Sequence, residues 1–150
     1  MTTDLQSLST VSAAGAVRAF ASGKLSPVEL MDAVITHAER VESNVNAFMA
    51  TFYEQALEAA RTAEDRWQGI GDPPRPLEGV PLAVSDDLEI AGQPLTESAV
   101  HLVGHEVEKT EPLATRLYES GAVVHARTAT SELLYSPYMD SPLYGATPTP

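Results

Sequence analysis

Three small groups of side chains are candidates for chemistry. Ser85-Asp86-Asp87 sets a hydroxyl beside two adjacent carboxylates, which offers a nucleophile, a general base or a cation-binding pair. His101 and His105 stand four apart with Glu106 alongside, a ligand spacing that suits a metal on a helix. His125 closes an apolar run and Trp67 closes a helical stripe. Each group also has a plainer reading. Ser85 lies in no G-x-S-x-G elbow and no motif sets a histidine against it, so it reads as a strand-terminal cap. Asp86 and Asp87 carry like charges that resist close burial, and they read as a solvated strand end. Gly104 and the lack of an H-E-x-x-H pattern argue against a helical metal site, and neither a metal nor another cofactor is expected. His125 reads as a hydrogen-bonded core or rim residue, and Trp67 as core.

The composition narrows what these groups can serve. The 150 residues hold 9 Lys plus Arg against 21 Asp plus Glu, a formal net charge of −12. Only Lys24 and Lys109 are lysines. A nucleic-acid binder collects Lys and Arg on one face, so this balance excludes that class and disfavours anionic membrane surfaces. With no cysteine, a disulfide framework, a thiolate zinc site and a cysteine nucleophile are excluded together. A hydrophobic share of 43% is that of a folded chain. No apolar run approaches the ~18–20 residues of a membrane span, and the opening MTTDLQSLST lacks the basic and apolar parts of a signal peptide. The expectation is a cytoplasmic protein.

The elements that must carry these residues are legible in outline. Ser12 to Ala21 is a short amphipathic helix closed by Gly23. Ser26-Pro27-Val28-Glu29 is a capping box with proline at the first helical position. Behind it Met31, Val34, Ile35, Ala38 and Val41 form one apolar stripe, predicting a helix from about Pro27 to Val41. Phe48 to Thr51 reads as a short extended piece, and Tyr53 to Gln68 as a further helix. Residues 71–78 form a Pro/Gly-rich loop between a helical section, 1–70, and an α/β section, 79–150. There, Gly79 to Val84 is an apolar strand ended by Ser85-Asp86-Asp87, Pro112 to Ser120 is a helix, and Ala122 to His125 is a second strand. Strand, helix, strand implies a right-handed crossover and a parallel pair. After Tyr135 the prolines keep the chain extended and irregular.

These pieces, in this order, resemble the N-terminal part of the amidase signature family. The likeness is carried by Pro76-Leu77-Glu78-Gly79-Val80-Pro81-Leu82-Ala83-Val84, by Leu117 to Val124 (LYESGAVV) and by Ser141-Pro142-Leu143-Tyr144-Gly145. It implies an α/β fold in which N-terminal helices lead into the start of a mixed, largely parallel sheet. It also implies carboxamide hydrolysis or acyl transfer through an acyl-enzyme, using a serine nucleophile, a bridging serine on a cis peptide bond and a lysine. A neutral, desolvated lysine can deprotonate the nucleophile through the bridging serine, and backbone N–H groups then hold the oxyanion.

The sequence departs from that pattern where the chemistry lies. Ser85 occupies the place of the family's lysine, and a hydroxyl is no base at neutral pH. General-base help worth ~10²–10⁴ in rate is therefore missing. The family's Gly/Ser-rich segment lies downstream of P-L-Y-G and is not reached by Pro150, so no catalytic residue is assigned. The family's G-K-T-N reads Ala126-Arg127-Thr128-Ala129, and two of its asparagines read Ser141 and Thr149. The resulting expectation is a truncated, degenerate amidase-like protein without catalysis as this chain. The alternatives are one part of a split or larger amide hydrolase, and a small acidic interaction module. Self-association or an amidase-like partner chain, met through an uncovered sheet, is the expected kind of contact.

Overall fold

The computed structural model describes residues 10–148. The expectations drawn from the opening MTTDLQSLS and from Thr149 and Pro150 lie outside the described residues. In chain order the elements are α1 (Ala13–Ala21), α2 (Pro27–Val45), β1 (Phe48–Thr51), α3 (Tyr53–Trp67), β2 (Pro81–Ser85), a 3₁₀ turn (Val100–Leu102), α4 (Pro112–Glu119), β3 (Val123–Thr128), a second short turn (Glu132–Leu134), β4 (Asp140–Ser141) and β5 (Gly145–Ala146).

The helix starts follow from their capping residues. Ser12 Oγ accepts from Gly15 N at 3.1 Å at the start of α1. In front of α2 the capping box is closed both ways, Glu29 N to Ser26 Oγ at 3.1 Å and Ser26 N to Glu29 Oε2 at 2.9 Å. Helix α2 runs to Val45, beyond the end of its apolar stripe. It stops where Asn46 takes a left-handed φ of 49°, a conformation asparagine tolerates better than most residues. Glu42 Oε1 meanwhile accepts from Phe48 N at 2.6 Å and joins the helix end to β1.

The main sheet has the order β1-β3-β2. Strands β1 and β3 are antiparallel, with an irregularity between Phe48 and Ala50. The bonds Val123 N to Val80 O at 2.9 Å and Asp86 N to Thr128 O at 3.0 Å step forward along both β2 and β3, so that pair is parallel. The sheet is thus mixed, as the resemblance implied. Two details differ from expectation. Strand β3 continues three residues past His125 because Ala126 to Thr128 pair with β1. The segment after Tyr135, read as irregular, contains the small antiparallel pair β4–β5.

The chain divides into two compact units. Among the described residues the first gathers 10–40 with 52–82 and 117–125, and the second gathers 41–51, 83–116 and 126–148. In the first unit Ala16, Phe20, Leu25, Leu30 and Val80 form one apolar cluster, and Met31, Ile35, Ala56, Ala60 and Val123 form another. Trp67 packs on the former, 6.2 Å from Phe20 between ring centroids, and its Nε1 donates to Glu78 O at 3.1 Å. Glu78 is buried with its carboxylate held by Arg75 Nε at 2.6 Å and Nη2 at 2.9 Å, with Arg66 Nη1 at 3.5 Å. Burial opposes that charge, but the hydrogen bonds and charges of Arg75 and Arg66 outweigh it and hold the carboxyl below the usual carboxylate range.

The second unit has a polar centre. Asp86, Arg127, Thr96, Ser98 and Thr130 are all buried. Its C-terminal hairpin is tied down by Asn46, whose Nδ2 donates to Tyr144 O at 2.8 Å and Ala146 O at 3.1 Å.

Candidate functional site

Ser85 is the last residue of β2 and is half-buried. Its carbonyl accepts from Leu88 N at 3.1 Å and from Arg127 Nη2 at 3.1 Å. A strand end closed by a turn is what the sequence predicted. The neighbouring carboxylate is not. Asp86 has no exposed surface, which corrects its reading as a solvated strand end. Asp87 is exposed, so the two like charges diverge into different media and the repulsion expected on burial does not arise.

Three donors make the burial of Asp86 tolerable. Thr96 N reaches Oδ1 at 3.0 Å, and Thr96 Oγ1 at 2.5 Å and Ser98 N at 3.1 Å reach Oδ2. Ionised carboxylates only accept, so the Thr96 hydroxyl proton points at Asp86. The Tyr144 hydroxyl, 3.1 Å from Thr96 Oγ1, is therefore the donor of that contact. Delivering both N–H groups puts Glu97 and Ser98 at left-handed φ of 46° and 54°. Such backbone costs about 1–3 kcal/mol per residue and persists where the surroundings demand it.

Arg127 completes the cluster. The side chain is fully buried. Nη2 donates to Ser85 O and, at 2.7 Å, to Leu88 O, Nη1 donates to Gln93 Oε1 at 3.2 Å, and Nε stands 3.9 Å from Asp86 Oδ1. Sequence reasoning registers Arg127 only as a departure from the family pattern. The available signal is a charged residue three positions beyond the apolar stretch Ala122 to Val124, inside the same strand.

The remaining candidates stay apart from this cluster. His101 sits in the three-residue 3₁₀ turn and His105 lies outside it, so the four-residue spacing does not stack two imidazoles on a helix face. His101, His105 and Glu106 are all exposed. Among the described residues no group of three or more His, Asp or Glu side chains could hold a metal ion. His125 belongs to the first unit, inside β3 rather than at its end. It is buried, stacks on Tyr53 at 6.4 Å between centroids, and burial pushes its pKa down. Among the described residues no helix is long and apolar enough to cross a membrane.

Comparison with known proteins fits this geometry. The Amidase family profile matches residues 29–150. The chain is 32% identical over 148 residues to the putative amidase AmiB2 of Mycobacterium tuberculosis, covering 98% of this chain and 31% of that protein. It is 32% identical over 137 residues to an amidase of Pseudomonas putida, covering 87% of this chain and 28% of the relative. The chain thus spans about 30% of the length of these curated relatives. Among solved structures it superposes on a fatty acid amide hydrolase with a TM-score of 0.91 at 21% identity, covering 100% of this chain and 26% of the other. The peptide amidase of Stenotrophomonas maltophilia gives 0.79 at 23% identity, covering 92% and 29%. At those identities the superpositions speak for the fold. Read with the profile match and with a capping box, a parallel β2–β3 pair and a P-L-Y-G hairpin in the order the resemblance required, they mean that this chain belongs to the Amidase family.

Proposed function

We propose that these 150 residues form a degenerate amidase-fold segment that does not hydrolyse carboxamides as this chain. The carrying observation is Ser85, which stands at the end of β2 where the resemblance puts the family's lysine. Its neighbours are no substitute. Asp86 has all its close contacts with donors and no exposed surface, so it cannot reach a substrate proton. Arg127 does not lose its proton in a protein. The expected setting is the cytoplasm.

The test is ammonia release from simple aliphatic and aromatic carboxamides by the purified chain, with Ser85→Ala alongside. Both should give the buffer rate. Turnover by the unaltered chain that Ser85→Ala abolishes would overturn the reading.

A second reading, an interaction partner for an amidase-like chain, is favoured by one observation. Tyr135 and Tyr138 are 95% and 79% exposed, and Leu133 and Leu134 beside them are 48% and 50% exposed. Large apolar side chains grouped this way favour a covered surface. Size-exclusion light scattering of the chain, alone and mixed with an intact family member, should reveal a complex that Leu134→Ser/Tyr135→Ser loses. A strict monomer in both samples would end this reading.

A further inference from the structure

We propose that the first unit carries a binding pocket for an uncharged, single-ring molecule bearing one hydroxyl, a phenol in size and chemistry.

The pocket is a cavity of about 180 Å³ lined by residues of that unit alone. Helix α1 lends it Ala13 and Ala16, α2 lends Leu30 and Val34 from one face, and Val80 and His125 close the strand side. Ala16, Leu30 and Val80 also belong to the apolar cluster that packs these helices, so the space lies against the core. Core side chains interlock with few voids larger than a water molecule. A space of this size beside them is room for a guest. Val11 and Ala13 on its wall are exposed, so the cavity meets solvent there and a guest enters without unpacking the core.

The wall sets the class of guest. An apolar cavity of about 150 Å³ takes up benzene, and this one has room for such a ring with one small substituent. No Asp, Glu, Lys or Arg lines it. A charged guest would therefore lose its hydration with no counter-charge in return. His125 is the one lining side chain with polar atoms. It is buried, its ring stacks on Tyr53, and its carbonyl accepts from Phe52 N at 2.8 Å, so the imidazole stands at a fixed place on the wall. Burial lowers its pKa, and near neutral pH the ring is uncharged. Neutral imidazole presents one donor and one acceptor nitrogen. A hydroxyl both donates and accepts, so it meets either tautomer, whereas an ether or a ketone only accepts. The ring of the guest then lies against Leu30, Val34 and Val80 with its hydroxyl at His125. None of this involves the polar cluster around Asp86, which belongs to the second unit.

The experiment titrates phenol, toluene and benzoate separately into the ¹⁵N-labelled chain, up to millimolar concentration near neutral pH. Phenol should shift the amides of Ala16, Val34 and His125 saturably, and benzoate, which carries a charge, should leave them in place. Toluene supplies the reference without a hydroxyl. His125→Phe keeps a ring on the wall and removes the hydrogen bond, so it should weaken phenol at least about fivefold and leave toluene unchanged. Ala16→Leu fills the cavity and should abolish binding of both. Amide spectra report the folding of each variant. Should either buried substitution prevent folding, Val34→Phe, made at a half-buried position, blocks the cavity instead. The proposal is overturned by the absence of a saturable phenol shift, by benzoate binding as well as phenol, by phenol binding that ignores His125→Phe, or by phenol binding that survives in a folded variant with the cavity filled.

Discussion

A carboxylate without exposed surface survives at position 86 because three donors and a guanidinium surround it, and the same logic separates the two other buried ionisable groups. Glu78 has two arginines and keeps its charge. Its lowered pKa gives stability that is present above the unfolded value near 4.5 and is lost as pH falls through the folded one. His125 is the opposite case. Burial disfavours its charged form, so its folded pKa lies below the ordinary 6.5. Above that ordinary value both states are neutral there and nothing is gained or lost. As pH falls below it, the unfolded chain takes up the proton first and stability drops. The urea midpoint should therefore fall between about pH 7.5 and about pH 5.5, before any carboxylate effect, and His125→Gln should flatten that slope. An unchanged slope in the variant would mean that other groups set it.

At the scale of elements, the loop after α3 and the strand it feeds are held by one close approach. Gly121 follows α4 with φ +93°, and an added Cβ would stand 2.8 Å from Glu78 Cα and 3.0 Å from its nitrogen. Leu77 N and Gly79 N bond Ser120 O and Gly121 O at 2.7 and 2.9 Å, so neither backbone can retreat cheaply. Gly121→Ala should cost about 2–4 kcal/mol in urea unfolding. Gly23, at φ +66° with nothing within 4 Å of its Cβ position, is the control, and Gly23→Ala should cost about 1 kcal/mol. Equal losses at the two glycines would show that the backbone conformation alone matters and the contact with Glu78 does not.

For the molecule as a whole, charge distinguishes what covers the exposed Leu133, Leu134, Tyr135 and Tyr138. A second copy brings a net charge of −12 against −12, so self-association should strengthen with added salt as the repulsion is screened. A complex with a partner presenting a basic rim should weaken under the same change. Salt dependence in the light-scattering experiment therefore tells the two apart, and Leu134→Ser/Tyr135→Ser should remove either one.

Local signals were enough for much of this fold. The Ser26–Glu29 box and Gly23 act within one helical turn, so their roles follow from sequence neighbours alone, whereas Ser12, read as the first residue of its helix, is the cap in front of it. Of the stripe Met31, Val34, Ile35, Ala38 and Val41, the positions Met31, Ile35 and Ala38 are buried and Val34 and Val41 half-buried. The apolar strand after Gly79 is buried at Val80 and Val84 but only half-buried at Pro81 to Ala83, and the strand–helix–strand order implies the parallel β2–β3 pair. Three things were decided only by tertiary structure. Asp86 is buried because Thr96 and Ser98, ten and twelve residues away, bring their donors to it. Strand β3 continues to Thr128 because β1, some eighty residues earlier in the chain, pairs with it. Arg127 turns from a departure in a motif into the group that fixes the β2 exit because its partners lie 34 to 42 residues away. Propensity and periodicity act over a few residues, whereas the solvation of a charge depends on what the whole fold places around it.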